Sequence, residues 1–222
     1  MTYIGVFGGT FNPIHYGHLR MAQEVAEILE LDRVIFVPAG NPPLKSSELA
    51  EASHRYTMAK IATASNSAFA VSDIEINKTG KSYTVLTLQK LLSYFEQKDE
   101  TELFFILGID AFLDLNQWYK PEQLLTLTNL VIISRPGFTF KSLLYSLYLP
   151  ELPPEKMEEL DQSKIQIYYS SLSSNKKAYF CRLISLDISA SQIRKFLRDG
   201  KSIKYLLPDE VEFYIINNKL YV

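Results

Sequence analysis

The sequence has little of what secreted, disulfide-linked or membrane-spanning proteins usually require. Its 222 residues include a single cysteine, Cys181, which excludes an intrachain disulfide and favours a reducing compartment. Its apolar runs all fall short of the roughly 18 residues that a membrane span needs. The start of the chain, MTYIGVFGG, lacks the basic stretch and cleavage site of a signal peptide. These features predict a cytoplasmic protein that does not act in a membrane.

The sequence also lacks an excess of basic residues. Lys and Arg number 23 and Asp and Glu number 25, for a formal net charge of -2. This balance disfavours a nucleic-acid partner held by a broad basic surface, so any anion must be bound locally. The hydrophobic fraction of 47% and the charged fraction of 22% are those of an ordinary globular protein. The length predicts one domain, residues 1–222, with a sizeable core.

Short β-rich runs alternate along the chain with helical stretches. The runs predicted as strands are residues 3–7, 33–37, 69–71, 103–107 and 130–133. Apolar residues at helical spacing (Ala22, Val25, Ala26 and Leu29) and the segments 53–64 and 84–95 indicate helices between them. A last helix is expected to start at Pro208. This order predicts an α/β fold: a Rossmann-like, doubly wound parallel sheet covered by helices on both faces.

Residues 138–181 interrupt the alternation. The segment is rich in Ser, Tyr and Leu, and we interpret it as an insertion that carries one or two short helices. Its tyrosines could cover a site or make the subunit contact of a homo-oligomer, and a solvent-facing elaboration is an equally good interpretation. They are Tyr145, Tyr148, Tyr168, Tyr169 and Tyr179. A C-terminal helical portion is expected over residues 189–222.

The most informative stretch is GVFGGTFNPIHYGHL, which follows the first predicted strand. Gly8 and Gly9 permit a ligand to approach the backbone closely, and Thr10 adds a hydroxyl. His15 and His18 are three residues apart at a helix start, so both can face the same anion. A zinc site is disfavoured because the sequence nearby supplies no suitable third ligand.

A second candidate motif is ISASQIR, residues 188–194. Ser189 followed three residues later by Gln192 is a capping-box pattern, which predicts a helix start with exposed N–H groups. Arg194 lies in the early turns of that helix, beside Ser191, where the helix dipole disfavours a cation. A bound anion would offset this cost, although an ordinary capped surface helix also explains the pattern.

The segments His15-Tyr16-Gly17-His18 and I-S-x-S-x-x-R together resemble the H-x-G-H nucleotidyltransferase superfamily. Within it, the chain is similar to the bacterial nicotinate-nucleotide adenylyltransferases. Eight segments match in order: GGTFNPIHYGHL, PAGNPPLK, GKSYTVLTL, ILGIDAF, QWYKPEQLL, VIISRPG, ISASQIR and SIKYLLPDEVEFYI. The resemblance implies transfer of AMP from ATP to nicotinate mononucleotide, which yields nicotinate adenine dinucleotide and pyrophosphate in NAD biosynthesis. It also implies Mg²⁺ as the cation that accompanies ATP, bound through the phosphates rather than by dedicated protein ligands.

The resemblance assigns roles to individual residues. The implied catalytic residues are His15, His18 and Arg194. The implied ATP-binding residues are Gly8, Gly9, Thr10, Phe11, His15, His18, Lys45, Gly108, Asp110, Arg135, Ser189, Ser191 and Arg194. The implied nicotinate mononucleotide pocket is formed by Tyr83, Thr84, Trp118 and Tyr119. Because the attacking phosphate is already anionic at neutral pH, direct attack without a general base or covalent intermediate is expected.

Some positions depart from the family pattern. Leu44 stands where the family often has His, and Leu86 where it commonly has Asp. The same chemistry on nicotinamide mononucleotide or on phosphopantetheine is therefore kept as an alternative, as is a nucleotide-binding regulator without catalysis. Trp118 is the only tryptophan. It is interpreted either as a core residue or as a platform on which a pyridine ring stacks.

Overall fold

A computed structural model describes residues 1–43, 48–78, 80–96, 100–172 and 174–222. Within them, seven strands form one sheet in the order β3-β2-β1-β4-β5-β7-β6. The strands are β1 (Thr2–Gly9), β2 (Arg33–Pro38), β3 (Phe69–Val71), β4 (Thr101–Gly108), β5 (Asn129–Ile133), β6 (Ile167–Ser171) and β7 (Lys177–Cys181). Neighbouring strands are parallel except β6, which runs antiparallel to β7 at the edge. The predicted α/β doubly wound sheet is confirmed.

Eight α-helices accompany the sheet in the described part of the chain. They are α1 (Tyr16–Ile28), α2 (Ala52–Thr63), α3 (Thr84–Glu96), α4 (Ile109–Leu113), α5 (Pro121–Leu127), α6 (Pro154–Asp161), α7 (Ala190–Arg198) and α8 (Asp209–Asn217). Short 3₁₀ turns span Leu115–Gln117 and Phe140–Leu143. The helix predicted from Pro208 begins one residue later, with Pro208 as its N-cap.

The sheet buries both of its faces, which explains why its strands are continuous apolar runs. Along β4, Leu103 and Phe105 pack into one cluster and Phe104 and Ile106 into the other, as the period of two in a strand requires. Helices α3, α4, α5 and α6 cover the first cluster. Helices α1, α2, α7 and α8 cover the second. The two layers hold the strand ends, and the loops that leave them, at fixed positions.

The prediction that residues 138–181 carry one or two short helices was incomplete. The segment does contain α6 and the 3₁₀ turn Phe140–Leu143, but it also contains β6 and β7. Strand β7 pairs in parallel with β5, so this part of the segment extends the main sheet. Strand β6 was missed because Ser170 and Ser171 end its apolar run and it is only partly covered. Strand β7 was missed because polar residues lead into its short apolar run, 178–181.

None of the described helices is both long enough and apolar enough to cross a lipid bilayer.

Candidate active site

A cavity of about 490 Å³ opens at the carboxyl ends of the strands. Its wall includes Gly8 and Gly9 from β1, Val37 from β2, Gly108 from β4 and Ile133 from β5. Strands β1 and β4 are neighbours, and the chain order of the strands reverses between them. Ligands of doubly wound sheets bind at this switch point, because loops diverge there and leave a crevice.

Most of the predicted site residues lie around this cavity. Those that line it are Gly8, Gly9, Thr10, Phe11, His18, Tyr83, Thr84, Gly108, Asp110, Trp118, Tyr119 and Arg135. Lys45 and Leu44 lie outside the described residues. None of the five tyrosines of residues 138–181 is among the described residues that line the cavity. Tyr145 is instead 91% exposed, which fits the solvent-facing interpretation of that position.

A second cavity of about 310 Å³ adjoins the first. Thr10, Phe11 and His18 belong to the walls of both, and Ala190 and Arg194 contribute α7 to the smaller one. The histidine motif and the ISASQIR motif therefore meet, although their nearest members, His18 and Ile188, are 170 positions apart in the sequence. Only the sheet topology, which sets α1 and α7 on the same face, brings them together.

His15 and His18 occupy different layers of the site. His15 is buried behind the cavity wall, whereas His18 is half-buried and lines both cavities. Their ring centroids are 3.8 Å apart. The backbone N–H of His15 donates to His18 Nδ1 at 3.3 Å. Because a neutral imidazole has one donor and one acceptor nitrogen, this contact assigns the proton of His18 to Nε2.

Both histidines are neutral at physiological pH. Burial, with a smaller contribution from the charge of Arg135, lowers the pKa of His15 from its usual 6.5 to about 3. Burial also holds the pKa of His18 well below 6.5, with contributions from His15 and Arg135. His18 therefore presents a neutral imidazole to the cavities, not a fixed cation.

The H-x-G-H spacing has a steric explanation. An added Cβ at Gly17 would lie 2.9 Å from His15 Nδ1, closer than real side chains approach. Glycine at this position lets the His15 ring fold back against the first turn of α1. Within the described residues, His15 Nδ1 has no hydrogen-bond partner although it is buried.

Arg194 is held in place by three groups. Its guanidinium donates to the backbone carbonyl of Asn12 at 2.8 Å, to Ser191 Oγ at 3.3 Å and to the Glu48 carboxylate at 3.1 Å. The predicted cap of α7 is confirmed, since Ser189 Oγ accepts from the N–H of Gln192 at 3.2 Å. Ser189 and Ser191 thus shape α7 and orient Arg194, and their contact with ATP stays a prediction.

Asp110 and Arg135 face each other at the ends of β4 and β5. Arg135 Nε lies 3.6 Å from Asp110 Oδ1, a loose and half-exposed ion pair. An added Cβ at Gly108 would collide with both side chains. Glycine at the end of β4 is therefore what allows these two charges to stand side by side at the cavity.

Aromatic side chains form the other end of the larger cavity. The rings of Tyr83 and Tyr119 are 4.7 Å apart and inclined by 34°. Trp118 packs against Phe105 at 6.3 Å and 67°, and it also lines the cavity. Trp118 contacts the core on one side and faces the cavity on another, so the core interpretation holds in part and the stacking of a pyridine ring stays a prediction. Thr84 opens α3, so the N-terminus of that helix is directed to the same end.

Three residues of this region were missed by sequence reasoning: Glu48, Arg55 and Tyr221. Arg55 is fully buried and donates to the carbonyls of Ala50, Thr10 and Gly40 at 2.7–3.0 Å. The sequence could have indicated the burial of Arg55, because helical spacing puts it on the same face as the buried residues Met58, Ala59 and Ala62. Local sequence gives no such signal for Glu48 or Tyr221.

The family model described as cytidylyltransferase-like matches residues 6–196, which carry the whole cavity wall described above. The chain belongs to the cytidylyltransferase-like family. The motifs that this family model spans include both the histidine loop and most of α7.

Named relatives of this cytidylyltransferase-like chain extend the match to nearly its full length. A probable nicotinate-nucleotide adenylyltransferase of Desulfatibacillum aliphaticivorans is 41% identical over 223 residues, 99% of each chain. One of Geobacter metallireducens is 39% identical over 218 residues, 98% of this chain and 97% of the relative. The resemblance to nicotinate-nucleotide adenylyltransferases that the motifs indicated is confirmed.

A solved structure shows the same fold. Plasmodium falciparum nicotinic acid mononucleotide adenylyltransferase complexed with NaAD superposes with a TM-score of 0.72 at 22% identity, covering 100% of this chain and 98% of that one. The same protein complexed with APC gives a TM-score of 0.70 at 21% identity, with the same coverage.

Proposed function

We propose that this protein transfers AMP from ATP to nicotinate mononucleotide and releases pyrophosphate, a late step of NAD biosynthesis. The observation that carries the proposal is one cavity with two different ends. His18 and the glycine loop form an end suited to phosphates, and Arg194 lies in the adjoining cavity. Aromatic rings and a helix N-terminus form the other end. The names of the relatives support the same reaction.

The main requirement of the reaction is the stabilisation of negative charge, and proton transfer matters less. An oxygen of the mononucleotide phosphate attacks the α-phosphorus of ATP, and the bond from that phosphorus to the β-phosphate oxygen breaks. The nucleophile is already anionic, because the second pKa of a phosphate monoester is about 6. Two anions must then be brought together while negative charge accumulates on the departing pyrophosphate.

His18 and Arg194 suit these two tasks. A neutral His18 can donate its Nε2–H to a phosphate oxygen. Because it carries no positive charge, the two anionic substrates do not compete for it as they would for a cation. Arg194 carries a permanent charge and a planar fork of donors, which fits the leaving pyrophosphate. The N-terminus of α7 adds N–H groups on the same side.

Nicotinate mononucleotide is our proposed acceptor because of the aromatic end of the cavity. A pyridine ring can stack between Trp118 and the Tyr83–Tyr119 pair. The carboxylate of nicotinate carries a negative charge, which the N-terminus of α3 at Thr84 attracts. The amide of nicotinamide is uncharged and gains no such attraction.

The expected Mg²⁺ fits this cavity as a partner of the phosphates. Mg²⁺ prefers phosphate and water oxygens with one or two carboxylates. Glu75 lines the cavity but accepts a hydrogen bond from Thr87, whereas Asp110 is only loosely paired with Arg135. Asp110 would therefore supply a carboxylate oxygen directly or through water. When bound, Mg²⁺ neutralises part of the triphosphate charge. We place the reaction in the cytoplasm, where ATP is available.

A coupled pyrophosphate assay tests the proposal. Purified protein is mixed with ATP and Mg²⁺ and with nicotinate mononucleotide, nicotinamide mononucleotide or phosphopantetheine in parallel. Fastest pyrophosphate release with nicotinate mononucleotide is expected, with nicotinate adenine dinucleotide as the second product. Equal or faster release with either other acceptor would change the assigned substrate. No release with any acceptor, while ATP still binds, would favour the regulator without catalysis.

A further inference from the structure

Asn12 is the central connection between the two phosphate motifs. It is 4% exposed and lies in the loop between β1 and α1. Its backbone carbonyl accepts from Arg194 Nη1 at 2.8 Å. Its side-chain oxygen accepts from Tyr221 Oη at 2.8 Å and from the N–H of Ala50 at 3.1 Å. Its amide nitrogen donates to the Glu48 carbonyl at 2.9 Å.

These contacts fix the Asn12 side chain in one orientation. Two donors converge on the oxygen and one acceptor faces the nitrogen, so a flipped amide would oppose donor to donor. Of the three partners, two are backbone groups of residues 48–50. Tyr221 is the partner that contacts Asn12 through a side chain, and it is 209 positions away in the sequence.

The backbone after α8 aims Tyr221 at this loop. Lys219 and Tyr221 both have left-handed φ values, 50° and 66°. The turn is closed by hydrogen bonds from the N–H groups of Lys219 and Leu220 to the carbonyls of Ile216 and Ile215. Tyr221 packs against the cluster that also contains Val211 and Ile215 of α8. Its ring is therefore held by packing, and its hydroxyl makes the specific contact.

We propose that Tyr221 is a positioning residue for adenylyl transfer, whose hydroxyl fixes Asn12 so that the Asn12 carbonyl holds Arg194 at the phosphate end of the cavity. The inference rests on the proposed function. It adds a residue that lies in no recognised motif and lines neither cavity.

The direction of this hydrogen bond agrees with the local electrostatics. Burial raises the pKa of Tyr221, although the charges of Arg55 and Arg194 act in the opposite direction. The hydroxyl therefore stays protonated at neutral pH and donates to Asn12. Without it, the Asn12 oxygen keeps only the Ala50 N–H, and Arg194 can move toward the carboxylate of Glu48 that it already contacts.

The decisive variant is Tyr221→Phe, which removes the hydroxyl and keeps the ring. Tyr214→Phe is the matched control, because Tyr214 lies on α8, just before the turn that carries Tyr221, and its hydroxyl pairs with His54 Nδ1 at 2.9 Å, outside the Asn12 contacts. For Tyr221→Phe, kcat/KM for ATP should fall by about 3- to 10-fold, the value of one hydrogen bond. The KM for nicotinate mononucleotide should not change, and Tyr214→Phe should match the wild type.

A double-mutant cycle with Asn12→Ala separates positioning from general stability. If the hydroxyl acts through Asn12, Tyr221→Phe has no further effect on kcat/KM for ATP once Asn12 is alanine. An equal loss in both backgrounds, wild-type values for Tyr221→Phe, or the same loss in Tyr214→Phe would each overturn the inference. A rise in KM for both substrates together with a lower melting temperature would do the same.

A binding measurement keeps this inference independent of the proposed reaction. Calorimetry with ATP alone should give a Kd that is about 3- to 10-fold weaker for Tyr221→Phe and unchanged for Tyr214→Phe. If the wild type released no pyrophosphate with any acceptor, the proposed function would fail. The calorimetric Kd values for ATP would still test the Tyr221–Asn12–Arg194 connection. Equal Kd values for the wild type and Tyr221→Phe would overturn the connection itself.

Discussion

At the scale of single residues, the site combines a neutral imidazole with a permanent cation. The pKa of His18 is held well below 6.5, mainly by burial, and its Nδ1 is occupied by the N–H of His15. Arg194 lies across the adjoining cavity and is charged at every relevant pH. In the proposed reaction, this pairing would bind a triphosphate through the cation and orient it through the imidazole.

Replacing His18 by alanine tests whether its imidazole orients the triphosphate. The variant loses the Nε2–H donor, and kcat should fall by about 100-fold, as when one preorganised donor is removed from a transition-state site. Circular dichroism should be unchanged, because the secondary structure around His18 is held by the sheet and by α1, although its ring also contacts Phe7 and Phe11. Near-normal turnover would show that His18 does not contact the reacting phosphates.

Stability should depend on pH through His15. Its pKa is about 3 in the folded protein, against about 6.5 when unfolded. Between these two pKa values, only the unfolded state binds the proton. The contribution of neutral His15 to the free energy of unfolding is therefore complete above pH 6.5 and declines as pH falls. Between pH 7.5 and 5.5, His15 should remove roughly 1.4 kcal/mol from the free energy of unfolding.

The measurement is denaturant unfolding at several pH values in that window. His15→Gln should flatten the slope of unfolding free energy against pH, whatever its effect on absolute stability. His18 contributes with the same sign because its pKa is also lowered, so some slope should remain in the variant. Identical slopes in wild type and His15→Gln would contradict the neutral, buried state of His15.

At the scale of elements, helix α7 presents two arginines to one carboxylate. Arg194 and Arg198 are four residues apart, and Glu48 bridges them at 3.1 and 2.6 Å. Hydrogen bonds from Arg198 and then Arg194 lower the pKa of Glu48, so it is ionised at neutral pH. If Arg194 holds the triphosphate as proposed, that anion competes with the Glu48 carboxylate for the Arg194 guanidinium.

Glu48→Gln should therefore lower the KM for ATP by about threefold, since the competing charge is removed and the side-chain volume is kept. The matched control is Glu158→Gln, which breaks the Lys141–Glu158 pair at 3.0 Å, of similar exposure but on α6. That control should leave the KM for ATP unchanged. A higher KM for ATP in Glu48→Gln would mean that Glu48 positions Arg194 instead of competing for it.

The elements that could be predicted from sequence are those encoded locally. The strands β1 to β5 are short apolar runs, and the start of α7 is marked by Ser189 and Gln192. Strands β6 and β7 could not be predicted in this way, because their polar residues hide a pairing that exists only in the sheet. The same limit applies to Tyr221, whose partner Asn12 is 209 positions away.

At the scale of the whole molecule, the sheet places the two ends of the reaction on different structural units. The phosphate end is built on the end of β1 and on α1 and α7, and the two helices share one core cluster. The aromatic end is built around α3, α4 and the Leu115–Gln117 turn, whose core residues belong to the other cluster. The family motifs mark the residues of the proposed phosphate end, whereas acceptor choice is expected to depend on the geometry at the aromatic end.

Trp118→Ala tests whether the two ends work independently. Trp118 follows the Leu115–Gln117 turn, packs on Phe105 and lines the cavity beside Tyr83 and Tyr119. Loss of the indole should raise the KM for nicotinate mononucleotide by about tenfold, the value of one aromatic stack with its buried area, and leave the KM for ATP unchanged. Trp118→Phe should restore most of the affinity, since it keeps an aromatic face. If the alanine variant kept its mononucleotide KM and lost only stability, Trp118 would be a core residue and the acceptor ring would bind elsewhere.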